Sequence, residues 1–385
     1  MQITPELIEY ISDEISYHGL SYFKSLDTRL HNNRDFIRQI IPAHQDIFMH
    51  LCDEFKNDEE LAFIFASHHG NLSNLPKKFI LDRKIVLAAV SKNANSYAYA
   101  SDTFKEDYEI TLTAVKSIGS ILYYANDTLK DNKEIALAAV KSDSSSFKFI
   151  SSRLKKDYEI ALHSVSKEGK LLQFLPFFKK DYTIVMAAVM SDGQALKYAS
   201  DNLQNDYNIV FTAVSQFGMA LNYASDDLKD NVDIAMAATT QNGNAIKYVS
   251  KKLLENKDIV LNALSTSSID CLYYLSKDII NDFDIILKAV TRDGMALYYA
   301  SNDLKNNPMI IRAAMQQNTA SLLHASFDMQ NNKEFVSMFF NENNNKSKHY
   351  DFYQKCLIKM NIWKEEEWLE QNTLINNVDN PLQKF

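Results

Sequence analysis

The chain has few of the two residues that most often interrupt regular secondary structure. Only 8 of its 385 residues are glycine and 6 are proline, against roughly 7% and 5% in average soluble proteins. Because these residues mark the turns of sheet proteins, their scarcity argues against an all-β fold and favours helices. Apolar residues nevertheless make up 46% of the chain and charged residues 23%, so a core can form and disorder by composition is excluded.

Excess positive charge, long apolar runs and paired cysteines are also missing. The net charge is −8, whereas nucleic-acid binders depend on clustered cations, so we expect no nucleic-acid partner. The longest apolar runs, such as 184–190, fall far short of the roughly 20 residues of a membrane span, and we expect no such span. Cys52, Cys271 and Cys356 are isolated, which is typical of a reducing compartment rather than of a disulfide framework.

What the chain does contain is a repeat of 24 to 26 residues. Two clear copies are DYTIVMAAVMSDGQALKYASDNLQN from 181 and DYNIVFTAVSQFGMALNYASDDLKD from 206. A weaker copy starts at 33, and a distorted one fills 4–32. The clear units begin at Asp58, Asp82, Asp107, Asn132, Asp157, Asp181, Asp206, Asn231, Asn256, Asp282 and Asn307.

Each place of the repeat predicts a structural role. Asp or Asn at the first place is the N-cap of a helix, and apolar residues at the fourth, fifth, eighth and ninth places form its buried stripe. Seven of the eight glycines occupy the thirteenth place, where we expect them to end that helix in a left-handed conformation. A shorter helix then carries the A-L-x-Y-A segment, and serine at the twentieth place caps one further turn. We expect the aromatic residues of the eighteenth place to form a ladder in the core.

A helix pair of this size cannot bury its apolar face alone, but stacked pairs share one continuous core. The predicted fold is therefore all-α, an α-solenoid of about 11–13 tandem repeats of 25 residues. We divide the chain into divergent N-terminal repeats or cap (1–57), tandem α-repeats (58–331), and a C-terminal cap with a tail (332–385). One unit departs from the pattern, because Pro176 replaces its serine and Phe177 and Phe178 follow. We expect a bend or an exposed apolar patch there.

The unit D-x-E-I-V-L-A-A-V-x-x-x-G-x-A-L-x-Y-A-S-x-x-L-x-x resembles the repeat of domain-of-unknown-function family 4116, over about 58–331. That family occurs in tandem in large effector proteins of Legionella-type intracellular bacteria and has no established enzymatic residues. The resemblance implies an effector that is made in the bacterial cytoplasm, secreted into the host cell cytosol and directed at a host protein.

The C-terminal tail is rich in glutamate. It resembles the signal that the type IVB secretion system of such bacteria recognises, and its glutamates are Glu365, Glu366, Glu367 and Glu370. A signal of this kind specifies where a protein goes and not what it does there. The alternative interpretation is a solvated acidic helix face that caps the solenoid.

Motifs that carry chemistry are absent from the sequence or are explained by the repeat. No nucleotide-binding loop, nucleophile elbow or zinc motif occurs. His44, His50 and Cys52 precede His68 and His69, which raises the hypothesis of a metal site or a Cys–His nucleophile. Their spacing matches no ligand pattern and favours a divergent N-terminal cap.

Asp282 and Asp284 form a D-x-D pair of the kind that holds a metal in glycosyltransferases. They occupy the first and third places of a repeat, however, so we interpret them as a helix cap and a first-turn acid. We expect no catalytic residue, no metal and no cofactor.

A partner should bind at the variable places, because the fixed places build the core. The seventeenth place lies about 200° around the short helix from the fifteenth and should face solvent. It holds Tyr123, Lys148, Gln173, Lys197, Asn222, Lys247, Tyr273 and Tyr298. Tyrosine is enriched at interfaces and lysine is depleted, so Tyr273 and Tyr298 are the better anchor candidates.

Three functions are compatible with these patterns. The leading hypothesis is a non-enzymatic protein-binding scaffold that engages a host protein through its solenoid surface. The alternative is an enzyme or enzyme modulator that uses the His-rich N-terminal region, with His44 and Cys52 as the residues to test. The third is a nucleic-acid-binding repeat array that reads one side chain per repeat, which the acidic charge disfavours. The sequence leaves the oligomeric state undetermined.

Overall fold

The computed structural model describes residues 3–267 and 269–342. Every regular element within those residues is a helix and none is a strand. The fold is an all-α solenoid of tandem repeats, as the sequence predicts. None of the helices described is both long enough and apolar enough to cross a membrane. The chain divides after Ser191 into two compact units, Met1–Ser191 and Asp192–Phe385.

A typical repeat consists of three helices. In the repeat that starts at Asp206, a ten-residue α-helix covers Tyr207–Gln216. A six-residue 3-10 helix follows at Gly218–Tyr223, and a four-residue α-helix at Asp226–Lys229. We call these the first, second and third helices of a repeat. The second helix is thus wound more tightly than the α-helix assumed from the sequence.

The first unit begins with the helices Pro5–His18, Leu20–Ser25 and Thr28–His31. First helices of its repeats are Arg34–Ile40, Glu59–His69, Arg83–Lys92, Tyr108–Ser117, Lys133–Ser142, Tyr158–Lys167 and Tyr182–Ser191. Second helices are Gln45–His50, Leu72–Asn74, Ala94–Tyr99, Gly119–Tyr124, Ser144–Phe149 and Gly169–Phe174. Third helices are Asp53–Lys56, Phe79–Leu81, Asp102–Glu106, Asp127–Lys130, Leu154–Lys156 and Pro176–Phe178.

The second unit repeats the same order. Its first helices are Tyr207–Gln216, Val232–Gln241, Lys257–Thr266, Phe283–Arg292, Pro308–Gln317 and Lys333–Glu342. Its second helices are Gly193–Tyr198, Gly218–Tyr223, Gly243–Tyr248, Ile269–Tyr274, Gly294–Tyr299 and Thr319–His324. Its third helices are Asp201–Gln204, Asp226–Lys229, Leu253–Glu255, Ile279–Asn281, Asn302–Lys305 and Phe327–Gln330.

The first helices start where the sequence predicts, at an Asp or Asn cap. Asp206 accepts the backbone N–H of Ile209 at 3.0 Å, and Asn231 accepts that of Ile234 at 3.1 Å. The fourth, fifth, eighth and ninth places of the helix after Asp206 are all buried. Because each large apolar side chain contributes about 1.5–3 kcal/mol when buried, this stripe fixes which face of the helix meets the neighbouring repeat.

The left-handed helix end predicted for the thirteenth-place glycines is confirmed at Gly70 and is wrong at the other six. Among these seven residues only Gly70 has a positive φ, of 60°. The reason for glycine is packing between repeats. A Cβ atom on Gly243 would overlap the carbonyl oxygen of Ala263 and lie 2.6 Å from the Cβ of Ser267. A Cβ would also overlap the eighth-place alanine of the next repeat at Gly119, Gly193, Gly218 and Gly294.

None of the aromatic residues of the eighteenth place is buried, so the predicted core ladder is wrong. Four are exposed and the other five are half-buried: Phe149, Tyr198, Tyr223, Tyr248 and Tyr299. Tyr99 is 58% exposed and Phe174 is 56% exposed. A 3-10 helix has three residues per turn, so the thirteenth, sixteenth and nineteenth places share one face. That face is buried, as Gly193, Leu196 and Ala199 show. The fifteenth and eighteenth places share a second face, which is buried at Ala195 and half-buried at Tyr198, and the seventeenth place faces solvent at Lys197.

Serine at the twentieth place joins one repeat to the previous one. The backbone N–H of Ser250 donates to the carbonyl oxygen of Lys229 at 3.1 Å, and its hydroxyl donates to Asp230 at 2.5 Å. The same hydroxyl accepts the N–H of Leu253 at 3.2 Å. The predicted cap of the third helix is therefore confirmed at Ser250, which also links consecutive repeats, whereas Ser101 and Ser200 make no such cap.

The unit that contains Pro176 exposes the expected apolar patch. Its third helix is shortened to Pro176–Phe178, and Phe177 is 67% exposed. The ammonium group of Lys156 lies 4.5 Å from the centre of the Phe177 ring. This patch belongs to the first unit.

Candidate partner-binding surface

Every residue that the sequence places in the outward stripe is exposed. The eight are Tyr123, Lys148, Gln173, Lys197, Asn222, Lys247, Tyr273 and Tyr298. Among them, Tyr273 is 77% exposed and Tyr298 is 61% exposed. Single exposed aromatic side chains are common, but contiguous exposed patches mark interaction sites. The recurrence of exposed residues at one place of the repeat therefore makes this stripe the starting point for a binding surface.

The eighteenth place widens the stripe, and we call the two places together the aromatic ribbon. In the first unit the ribbon consists of Tyr99, Tyr123, Tyr124, Lys148, Phe149, Gln173 and Phe174. In the second unit it consists of Lys197, Tyr198, Asn222, Tyr223, Lys247, Tyr248, Tyr273, Tyr274, Tyr298, Tyr299 and His324. Sequence reasoning found only half of this surface, because it assigned the eighteenth place to the core.

Aromatic rings contact one another along the ribbon of the second unit. Tyr273 and Tyr274 meet edge to face, with centroids 5.5 Å apart and planes at 89°. Tyr298 meets Tyr299 in the same way, at 5.2 Å and 87°. It also reaches His324 of the next repeat at 5.4 Å. These contacts within and between repeats hold the rings in place without burying them.

Lysines of the seventeenth place lie against the ring that follows them. The ammonium group of Lys247 is 4.9 Å from the centre of the Tyr248 ring, and that of Lys197 is 5.7 Å from Tyr198. Cation–π attraction of this kind contributes about 0.5–1 kcal/mol at exposed sites. The lysines therefore make the aromatic ribbon cationic as well as aromatic.

A lysine at the twenty-fourth place of the repeat also contacts the ribbon, and sequence reasoning missed this place. The ammonium group of Lys305 lies 5.7 Å from the Tyr298 ring, and burial lowers the pKa of Lys305. Burial and the charge of Lys305 also lower the pKa of His324. The available signal was a lysine that recurs at the twenty-fourth place, as Lys105, Lys130, Lys155, Lys180, Lys229 and Lys305.

The ribbon is free of carboxylates on an acidic chain. The chain contains 49 Asp and Glu residues against 41 Lys and Arg, yet none of the acidic residues occupies the seventeenth or eighteenth place between 123 and 324. Asp270 lies one turn before Tyr273 on the same second helix. The charged residues of the seventeenth place are thus all lysines, opposite in sign to the net charge of the chain, which favours an acidic ligand.

The N-terminal histidines make packing contacts. Nε2 of His44 lies 2.8 Å from the Ser12 hydroxyl, and Nε2 of His69 lies 2.6 Å from the carbonyl oxygen of Ile41. Burial and the nearby His69 lower the pKa of His44, while Cys52 is exposed. Within the part of the chain that the structure describes, no three His, Cys, Asp or Glu residues are grouped to hold a metal ion.

Asp282 and Asp284 are engaged by their own repeats. The carboxylate of Asp282 accepts the backbone N–H groups of Asp284 at 2.9 Å and Ile285 at 3.1 Å. The Lys257 ammonium group of the preceding repeat contacts Asp282 at 2.9 Å and Asp284 at 2.6 Å. The interpretation as a helix cap and a first-turn acid is confirmed. The glutamates of the tail, Glu365, Glu366, Glu367 and Glu370, lie outside the described residues.

Comparison with known families supports the repeat register. The model of the family described as "Domain of unknown function (DUF4116)" matches residues 82–130, 132–178, 157–204, 181–229, 206–254, 231–280 and 282–330. Each match spans two consecutive repeats and begins at a first-place Asp or Asn. The matched region starts at 82, one repeat later than the resemblance noted from the sequence. No curated protein and no solved structure matches the chain.

Proposed function

The chain belongs to the family of the domain of unknown function DUF4116, and on that premise we propose that it is a non-enzymatic protein-binding scaffold. Its aromatic ribbon engages the partner, with Tyr273 and Tyr298 as anchors. The protein acts by occupying or bridging that partner. The exposure of these two tyrosines on consecutive repeats is the observation that carries the proposal.

Tyrosine suits this role for physical reasons. Its ring supplies a large contact area, its hydroxyl can donate or accept a hydrogen bond, and it loses little conformational entropy on binding. Alanine substitution at such anchors removes about 2 kcal/mol or more of binding free energy. The contacts of Tyr298 with Tyr299 and His324 keep its ring preorganised, which lowers the entropic cost further.

The test is affinity capture from eukaryotic cell lysate with three immobilised proteins. These are the wild type, the Tyr273→Ala/Tyr298→Ala double variant and the Tyr207→Ala control. Tyr207 is 41% exposed, but it stacks on Phe211 of its own first helix and lies away from the ribbon. All three proteins must show the same helical circular dichroism.

The expected result is at least one protein that mass spectrometry finds on the wild type and on the Tyr207→Ala control but not on the double variant. A partner that remains on the double variant would show that these tyrosines are not the anchors. The absence of any specific protein on all three would contradict the scaffold function itself.

We extend the proposal to the origin of the protein. The resemblance noted from the sequence and the glutamate-rich tail support a bacterial effector that is secreted into the host cell cytosol and acts there. A reporter enzyme active only in host cytosol, fused to the chain, tests this. Replacing Glu365, Glu366, Glu367 and Glu370 by glutamine should abolish the reporter signal, and replacing Asn376 and Asn377 by alanine should not. An equal signal from both variants would refute the tail as a secretion signal.

A further inference from the structure

Each repeat of the second unit contributes one pair of ribbon residues, at its seventeenth and eighteenth places, which we call a step of the ribbon. Consecutive second helices of this unit contact each other, and packed helices lie about 8–10 Å apart. The contact between Tyr298 and His324 of the next repeat, with centroids 5.4 Å apart, shows that neighbouring steps touch. A partner that lies along the ribbon must therefore present an equivalent group about every 8–10 Å.

Among regular backbone conformations, polyproline II matches this spacing. It has three residues per turn and rises 3.1 Å per residue, so its period is about 9.3 Å. An extended strand presents side chains on one face every 6.6–6.8 Å or so. One turn of an α-helix rises about 5.4 Å, and two turns rise about 10.8 Å. Only the period of polyproline II, about 9.3 Å, falls within the spacing of about 8–10 Å between packed helices.

The rings have the shape and chemistry that this conformation requires. In the pairs Tyr273–Tyr274 and Tyr298–Tyr299 the planes are nearly perpendicular, so each step places a ring face beside a ring edge. Proline rings pack into such aromatic grooves. Proline carbonyls in this conformation have no internal partner, and tyrosine hydroxyls can donate to them.

The charge of the ribbon selects among proline-rich segments. Lys197 and Lys247 lie in the ribbon and Lys305 lies against it, while its seventeenth and eighteenth places hold no carboxylate. Acidic residues beside the prolines would be attracted to these ammonium groups, and basic residues would be repelled. A nucleic acid could also use rings and cations, but it carries a phosphate charge on every nucleotide, so the net charge of −8 repels it more strongly than a peptide with a few carboxylates.

From spacing, ring geometry and charge, we infer that the ribbon of the second unit binds an acidic, proline-rich protein segment in the polyproline II conformation. One turn of the segment occupies one repeat, and prolines pack beside Tyr273 and Tyr298. This inference rests on the proposed function and adds the chemistry of the partner to it.

Fluorescence anisotropy with the full-length protein tests the inference. The probe is a labelled peptide of about nine prolines, or three turns, with glutamates on both sides. One comparison peptide has glycine and serine in place of the prolines, and another has lysines in place of the glutamates. A labelled oligothymidine is the nucleic-acid probe. Each probe is titrated with the wild type, Tyr273→Ala/Tyr298→Ala and Tyr207→Ala.

The acidic proline peptide should bind saturably, and the double variant should bind it at least about tenfold more weakly. The Tyr207→Ala control should bind it as the wild type does. No binding, equal binding by the double variant, or equal binding of the glycine–serine peptide would overturn the inference. Equal binding of the lysine-flanked peptide would refute the preference for acidic residues. Tighter binding of oligothymidine would refute a protein segment as the ligand.

The peptide titration and the lysate capture distinguish failure of this inference from failure of the proposed function. A partner captured through Tyr273 and Tyr298, together with no binding of the proline peptide, would leave the scaffold function standing and remove this inference. Binding of the peptide without any captured protein would have the opposite effect: the ribbon chemistry would be supported and the lysate partner would not.

Discussion

Replacing Gly243 by alanine should destabilise the protein, although the usual rule predicts the opposite. Glycine within a helix is ordinarily about 0.5–1 kcal/mol less favourable than alanine. Gly243 has no positive φ, so its backbone would accept alanine without strain. The added Cβ, however, would overlap the carbonyl oxygen of Ala263 and lie 2.8 Å from the backbone nitrogen of Ser267.

The magnitude follows from these contacts. Both obstacles are backbone atoms of the next repeat, so no side chain can simply rotate away. Overpacking costs about 1–3 kcal/mol, and an overlap with backbone atoms belongs to the upper part of that range, about 2–3 kcal/mol. After the propensity gain of about 0.5–1 kcal/mol, a net loss of about 1–2.5 kcal/mol remains. Ala94, Ser144 and Thr319 fill this place elsewhere, so the repeats accommodate a Cβ atom at those three positions.

Urea unfolding followed by circular dichroism measures the change. Asn244→Ala is the matched control, because Asn244 is the next residue of the same second helix and is exposed. Its unfolding free energy should stay within about 0.5 kcal/mol of wild type. If Gly243→Ala were as stable as wild type or more stable, the close approach of repeats would not be the reason for glycine at the thirteenth place.

Three further predictions follow from the described contacts. Asp206→Ala removes an N-cap and should lower the urea unfolding free energy by about 0.5–2 kcal/mol; no change would refute the cap. The Arg34 guanidinium holds the pKa of Asp58 below its ordinary 3.8. The ionised Asp58 therefore stabilises the folded state above pH 3.8, and this contribution is lost as the pH falls further. In Arg34→Gln the midpoint of urea unfolding should fall less steeply with decreasing pH than in the wild type. The same pH dependence in both proteins would contradict this. Burial raises the pKa of Cys271, so a thiol reagent should modify Cys52 quickly and Cys271 only on unfolding, as peptide mass mapping would show.

The repeat was accessible to sequence reasoning because its signals are local. An Asp or Asn followed by apolar residues at fixed places specifies a capped amphipathic helix whatever surrounds it. The cap at Asp206 and the serine cap at Ser250 were therefore predicted correctly. The outward direction of the seventeenth place also follows from position within one short helix.

Two features depended on how repeats meet, and the sequence interpretation missed them. Glycine at the thirteenth place is typical of a left-handed helix end. At Gly243, however, glycine is required because a Cβ atom would overlap the carbonyl oxygen of Ala263 in the next repeat. The eighteenth-place tyrosines matched a periodic core, but each lies at the edge of the buried face of its second helix, one turn after the buried residue of the fifteenth place. In both cases periodicity showed that a place matters without showing what it contacts in the neighbouring repeat.

Site-specific photo-crosslinking tests the central claim, that the ribbon of the second unit contacts a protein partner, most directly. A photoreactive phenylalanine analogue would replace Asn222, an exposed ribbon residue at a place where other repeats carry tyrosine. The same analogue at Phe211, which is 40% exposed on a first helix, is the control. In eukaryotic lysate we predict a defined covalent adduct from position 222 and none from position 211. Adducts from position 211 alone, or from neither position, would contradict the account.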